Sequence, residues 1–167
     1  MIDKLVLASL RYIPRPVMRR LASRYIAGEK LEDALARLTD LARRGHPGIL
    51  DILGENVVDA DAARAAARSY AEGATALARA RLDTYVSVKP THLGLALDEA
   101  LCLELYSGLA AHCRERGLRL RVEIEDHPTT DATLRVFQVL RPRFENVAIV
   151  LQSRAFRTPA DVDALAF

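Results

Sequence analysis

Lys89 closes the apolar stretch YVSV and is followed at once by Pro90, which stops a strand from continuing (YVSVKP, residues 85–90). A lysine in that position can clamp a phosphate or carboxylate, act as an amine nucleophile, or sit solvated at an edge. Other polar residues recur at equivalent places. Glu55 follows GILDIL (48–53), Glu123, Glu125 and Asp126 end LRLRVEIED (118–126), and Gln152 ends VAIVLQ (147–152). Carboxylates at such points can carry protons, and a side-chain amide can donate and accept together. Alternation along a strand turns Glu123 and Glu125 the same way and Ile124 the other.

These residues need elements to hold them. Four apolar runs, 48–53, 84–89, 118–126 and 147–152, read as strands, the last almost wholly apolar and so covered on both faces. Between them lie helical patterns. LEDALARLTDLARRG (31–45) ends at Gly45, and an alanine-rich helix runs from Asp59 to Ala80 behind an acidic first turn. Leu97 to Arg116 puts Leu101, Leu105 and Leu109 on one face before Gly117, and Thr130 to Leu140 is the next helix. RTPADVDALAF opens a further one, with Thr158 as N-cap, Pro159 in the first turn and Asp161 as capping-box acid.

Strand and helix thus alternate with repeats of roughly 30–35 residues, which predicts a parallel sheet with right-handed crossovers. A doubly wound nucleotide-binding sheet has little support, since GENV (54–57) holds a single glycine where a phosphate fingerprint would stand. The polar strand ends favour half of an eight-stranded (β/α) barrel, whose strands converge on one mouth where the site is built. The mouth of any α/β sheet is polar because it meets water, but four strand ends together favour a site. The expected division is N-terminal amphipathic helices over 1–45 and half of a (β/α) barrel over 46–167, incomplete at its C-terminus.

The chain has 167 residues, half of them hydrophobic and 28% charged, enough to bury a core. A net charge of +2 argues against a dedicated nucleic-acid binder. Residues 1–30 nevertheless carry seven Lys or Arg against Asp3 and Glu29, so this segment is either an amphipathic helix pair packed against the domain and broken at Pro14 and Pro16, the favoured reading, or a surface for peripheral contact with a membrane. Cys102 and Cys113 lie eleven positions apart on one helix and cannot bridge each other, and His46, His92, His112 and His127 show no metal-ligand spacing. A reduced, cytoplasmic protein is expected, with the basic segment able to reach the inner membrane.

Four stretches carry a resemblance. LDILGENV (50–57), YVSVKPTHLGL (85–95), RVEIED (121–126) and VLQSRAFRT (150–158) resemble, in order and spacing, successive strand motifs of the proline dehydrogenase family, over roughly residues 28 to 167. The resemblance implies an FAD-dependent TIM barrel, here about four βα units preceded by N-terminal helices. It implies oxidation of L-proline to pyrroline-5-carboxylate with a quinone as the final electron acceptor. Carried over by position, it places Lys89 at the substrate and Glu123 as the catalytic acidic residue, one methylene longer than the usual aspartate. It places Ile124 and Gln152 against the flavin. Pro90, His92 and Arg154 depart from the common pattern. The family's later lysine-glycine-alanine, threonine-histidine-aspartate and paired-arginine segments have no counterpart here, so the chain reads as a truncated N-terminal half.

The residues alone leave two other readings open. Lys89 could form a Schiff base, as in aldolase-type barrels, with Glu123 or Glu125 carrying protons. Alternatively the chain is a non-catalytic half-barrel module that self-associates through open sheet edges.

Overall fold

The computed structural model describes residues 13–14, 17–18, 20 and 26–165. The expected basic N-terminal helices fall mostly outside the described residues. The chain divides into two units, Met1–Arg37 and Leu38–Phe167, and the second holds the sheet.

Helix α1 (Leu31–Arg43) stops as the sequence predicts. Gly45 takes a φ of +78°, which an L side chain resists, and the His46 N–H turns back to the Leu41 carbonyl. Strands β1 (Gly48–Asp51), β2 (Thr84–Val88), β3 (Arg119–Glu123) and β4 (Val147–Val150) form one parallel sheet in the order β1-β2-β3-β4. Between them run α2 (Ala60–Arg79), α3 (Glu99–Arg114) and α4 (Thr130–Leu140), and α5 (Thr158–Leu165) follows β4. Asp59 and Asp98 cap α2 and α3 by accepting from Ala62 N (2.8 Å) and Ala100 N (2.8 Å).

Register and alternation sort the strand residues into two faces. Leu50, Val86, Leu120 and Val147 lie in one row across the sheet, and Val88 pairs the same way with Val122. This row is buried with Tyr70 and Leu77 of α2, Tyr106 and Leu109 of α3, and Val136, Phe137 and Leu140 of α4. Ala63, Ala66, Gly73 and Ala74 are the small buried residues that let α2 approach α3 closely. Tyr106 buries its ring and donates its hydroxyl to the Val88 carbonyl at 2.8 Å, so the polar tip is satisfied. Cys102 and Cys113 belong to the same layer. Burial pushes both thiols up to about 12, which makes them inert fillers.

The opposite, concave face carries a different population. Asp51 lies beside Ser87 and Ser87 beside Arg121, while Glu123 lies beside Val150. Arg119 and Arg121 both stack on the Tyr85 ring, at 4.3 and 4.9 Å from its centroid.

All four strands are shorter than the sequence predicts, and β2 stops at Val88, immediately before Lys89. Pro90 offers no N–H to a neighbouring strand, and the chain instead enters a 3-10 turn, Pro90–Leu93, with Lys89 at its cap. Beyond Glu123, the carbonyls of Ile124 and Glu125 accept from the side chain of Gln152, at 3.0 and 3.1 Å, in place of a strand N–H. A second 3-10 turn, His127–Thr129, follows. The start of α5 also differs from expectation. Thr158 is its first helical residue, its hydroxyl donates to the Gln152 carbonyl at 2.6 Å, and Asp161 pairs with the Arg157 guanidinium at 2.8 Å. A side chain already committed to the preceding strand end cannot close a capping box. Among the described residues, no helix is long and apolar enough to cross a membrane.

Candidate active site at the strand ends

The polar residues singled out by position fall into two neighbouring groups. The first lies on the concave face. Lys89 Nζ stands 3.3 Å from Asp51 Oδ2, and the lysine side chain is largely enclosed. The Ser87 hydroxyl, fully buried, donates to Glu123 in a short contact. A cation and two carboxylates thus lie near the ends of three successive strands on one face of the sheet. Asp51 was not singled out from the sequence. Reading β1 as running to residue 53 left Asp51 in mid-strand between Leu50 and Ile52. The alternation Ile49, Asp51 against Leu50 was the signal that it faces the mouth.

The second group lines a cleft of about 350 Å³ that includes Ile124, Gln152, Phe156, Arg157 and Thr158. Gln152 spends its amide N–H groups on the two β3 carbonyls, which fixes its plane and leaves Oε1 with no partner among the described residues. Phe156 stands fully out on the rim. Ile124 and Gln152 are therefore brought together, and Lys89 and Glu123 sit outside this cleft's lining.

Glu125 does not join Glu123. The strand ends at Glu123, so the alternation no longer applies, and Glu125 turns to Thr91. Its Oε2 accepts from the Thr91 N–H at 2.8 Å and its Oε1 from the Thr91 hydroxyl at 2.7 Å. Behind Lys89, Tyr70 Oη donates to the Ile52 carbonyl (3.3 Å) and meets His92 Nδ1 at 3.2 Å. Burial, reinforced by the charge of Lys89, holds His92 below the usual histidine range and hence neutral near pH 7. Burial pushes the Tyr70 phenol well above its ordinary value, and the charges of Asp51 and Glu123 add to the shift.

Gly54 passes so close to the His92 ring that a Cβ there would overlap it. Gly54→Ala is expected to displace the ring, break the Tyr70 contact and cost about 1–3 kcal/mol. Urea denaturation checks this, and an unchanged midpoint would show that the loop yields freely.

The fold and this mouth define the first part of a (β/α) barrel with its polar strand ends gathered on one face. No family model matches the chain. Curated relatives do. It is 33% identical over 154 residues to proline dehydrogenase of Deinococcus radiodurans, covering 89% of this chain and 50% of that protein. It is 29% identical over 144 residues to proline dehydrogenase 2 of Bacillus subtilis strain 168, covering 86% and 48%. Among solved structures, proline utilization A from Bdellovibrio bacteriovorus, inactivated by N-propargylglycine, superposes with a TM-score of 0.73 at 24% identity, over 86% of this chain and 18% of that one. By sequence the chain is a relative of the proline dehydrogenases. It spans about half the length of the curated relatives it matches.

Proposed function

We propose that this chain provides one wall of a proline dehydrogenase site, for the oxidation of L-proline to pyrroline-5-carboxylate with FAD as hydride acceptor. The observation that carries the reading is the charged row Asp51–Lys89 and Ser87–Glu123 beside the Gln152 cleft. An amino-acid zwitterion needs a cation for its carboxylate and an anion for its ammonium group, and both are offered within one sheet face. Lys89 would take the carboxylate. Glu123, oriented by Ser87, would face the amine, whose nitrogen must lose a proton as the C=N bond forms.

A flavin is the cofactor that the likeness to proline dehydrogenases implies, and the residues present suit one. Ile124 and Phe156 give apolar surface for a planar ring, and the partnerless Gln152 Oε1 is an acceptor for a ring N–H. When bound, the flavin supplies the redox step, while the protein supplies position and charge. A Schiff-base role for Lys89 is less well supported, because its Nζ faces the Asp51 carboxylate and not an apolar enclosure.

The electrons are assigned to a quinone, and the protein to the cytoplasm, with the basic segment 1–30 touching the inner membrane. The partition at residue 45 into N-terminal helices and half-barrel is part of the same proposal. So is self-association through the open edges, since β1 and β4 each pair on one side only among the described residues.

Loading the purified chain with FAD, desalting it and adding L-proline without oxygen tests the reading. The expected result is a yellow protein whose flavin band bleaches. A colourless protein, or a yellow one indifferent to proline, overturns it.

A further inference from the structure

Glu125 lies two residues past Glu123, the end of β3, and lines the Gln152 cleft, yet its two carboxylate oxygens are engaged elsewhere. Both are used by one residue, Thr91, through its N–H and its hydroxyl. Thr91 is 3% exposed and belongs to the 3-10 turn after Lys89. Having donated to Glu125, its hydroxyl oxygen accepts from the Asn56 N–H at 3.0 Å, and its carbonyl accepts from the Val57 N–H at 3.3 Å. Asn56 sits at a φ of +50°, a left-handed conformation that a non-glycine residue keeps only when its surroundings hold it. The loop so held presents Leu53, 86% exposed, and Val58, 83% exposed. On its other side, the backbone of Glu125 fixes Gln152, whose carbonyl in turn accepts from Thr158.

We infer that Glu125 and Thr91 form a latch that sets the β1 loop against the ligand mouth, and that they are positioning residues and not proton carriers. The inference deepens the flavin reading above, because Glu125 itself lines the Gln152 cleft and its carbonyl holds the Gln152 amide. A carboxylate that holds the N–H and the hydroxyl of one residue, one on each oxygen, is well suited to fix two donors at once. Threonine serves because its hydroxyl can donate to Glu125 while accepting from Asn56. Valine, of nearly the same shape, can do neither.

Amide hydrogen exchange on the whole chain, combined with FAD titration by fluorescence, tests the latch. In Thr91→Val the Asn56 and Val57 amides are expected to exchange about tenfold faster, while the amides of β2 and β3 keep wild-type protection. FAD affinity is expected to fall about tenfold in the same variant. Thr91→Ser, which retains the hydroxyl, should restore both. Unchanged exchange at Asn56, or a rise shared by the whole sheet, overturns the latch. A freed loop with undiminished FAD affinity overturns its role at the mouth. A wild-type chain that takes up no FAD refutes the flavin reading instead, and the exchange data then decide the latch alone.

Discussion

In a completed barrel carrying the site proposed above, replacing Lys89 with methionine is expected to raise the KM for proline ten- to hundredfold, with little change in thermal stability. Methionine keeps the unbranched shape and removes the charge. A charge-assisted contact to a carboxylate in a partly enclosed site is worth about 1.5–3 kcal/mol, and each 1.4 kcal/mol is about a factor of ten in affinity. Stability should respond far less, because the Lys89–Asp51 pair is not fully buried. The side chains are 19% and 42% exposed, so water can replace the lost partner at Asp51. Lys89→Arg should recover only part of the loss, since a planar guanidinium cannot reproduce a compact ammonium in the same space. Steady-state kinetics at varied proline, alongside a thermal melt, separate the two effects. An unchanged KM removes Lys89 from the substrate, and a collapsed melting temperature would place its role in the fold.

The same lysine shows how far the sequence carries. An apolar run cut off by proline announced the strand, its end and the mouth together, because proline removes the N–H that a further ladder rung needs. Glycines at 45 and 117 announced helix ends for an equally local reason, and both adopt the left-handed conformation. The motif resemblance assigns Ile124 and Gln152 to a flavin, and both line one cleft.

Less visible were the residues whose roles depend on where a strand stops. Strand ends are set by which backbone groups find partners across the sheet. Here a glutamine side chain intercepts two β3 carbonyls, an event no local pattern records. Once β3 ends at Glu123, Glu125 leaves the alternation and turns to Thr91. Asp51 was hidden by the converse error, a strand read too long. The Thr158 hydroxyl and Asp161, which fit a capping box by spacing, were claimed by Gln152 and Arg157. Ser87, small and fully buried, carried no signal of its own, and only its neighbour across the register gives it a role.

The chain in isolation is expected to self-associate through its open sheet edges, as the sequence also suggests. The concave face is largely polar, with Asp51, Lys89 and Glu123 beside Arg119 and Arg121, which stack on Tyr85, and such a face tolerates water. Its main exposed aliphatic residue in a strand is Ile49, at 46%. The driving force lies at the edges and the rim. Among the described residues, β1 and β4 each leave one side of the backbone unpaired, and VAIV of β4 carries no charge and no proline to deter pairing. Leu53, Val58 and Phe156 add exposed apolar surface around the mouth, and covering each such side chain gains about 1.5–3 kcal/mol. Edge pairing with rim burial therefore favours a dimer or larger species. Placing a charge on β4 should weaken it, since an edge lysine opposes strand addition. Ile149→Lys is unsuitable because Ile149 lies in the row that faces the helices, whereas Ala148 shares the face of Arg121. Ala148→Lys is thus the variant to compare, by sedimentation velocity over a range of concentrations. The expected result is a concentration-dependent dimer or larger species for the wild-type chain and a shift toward monomer for the variant. A monodisperse wild-type monomer with a cooperative thermal transition would show that the two edges are sufficiently protected as they stand.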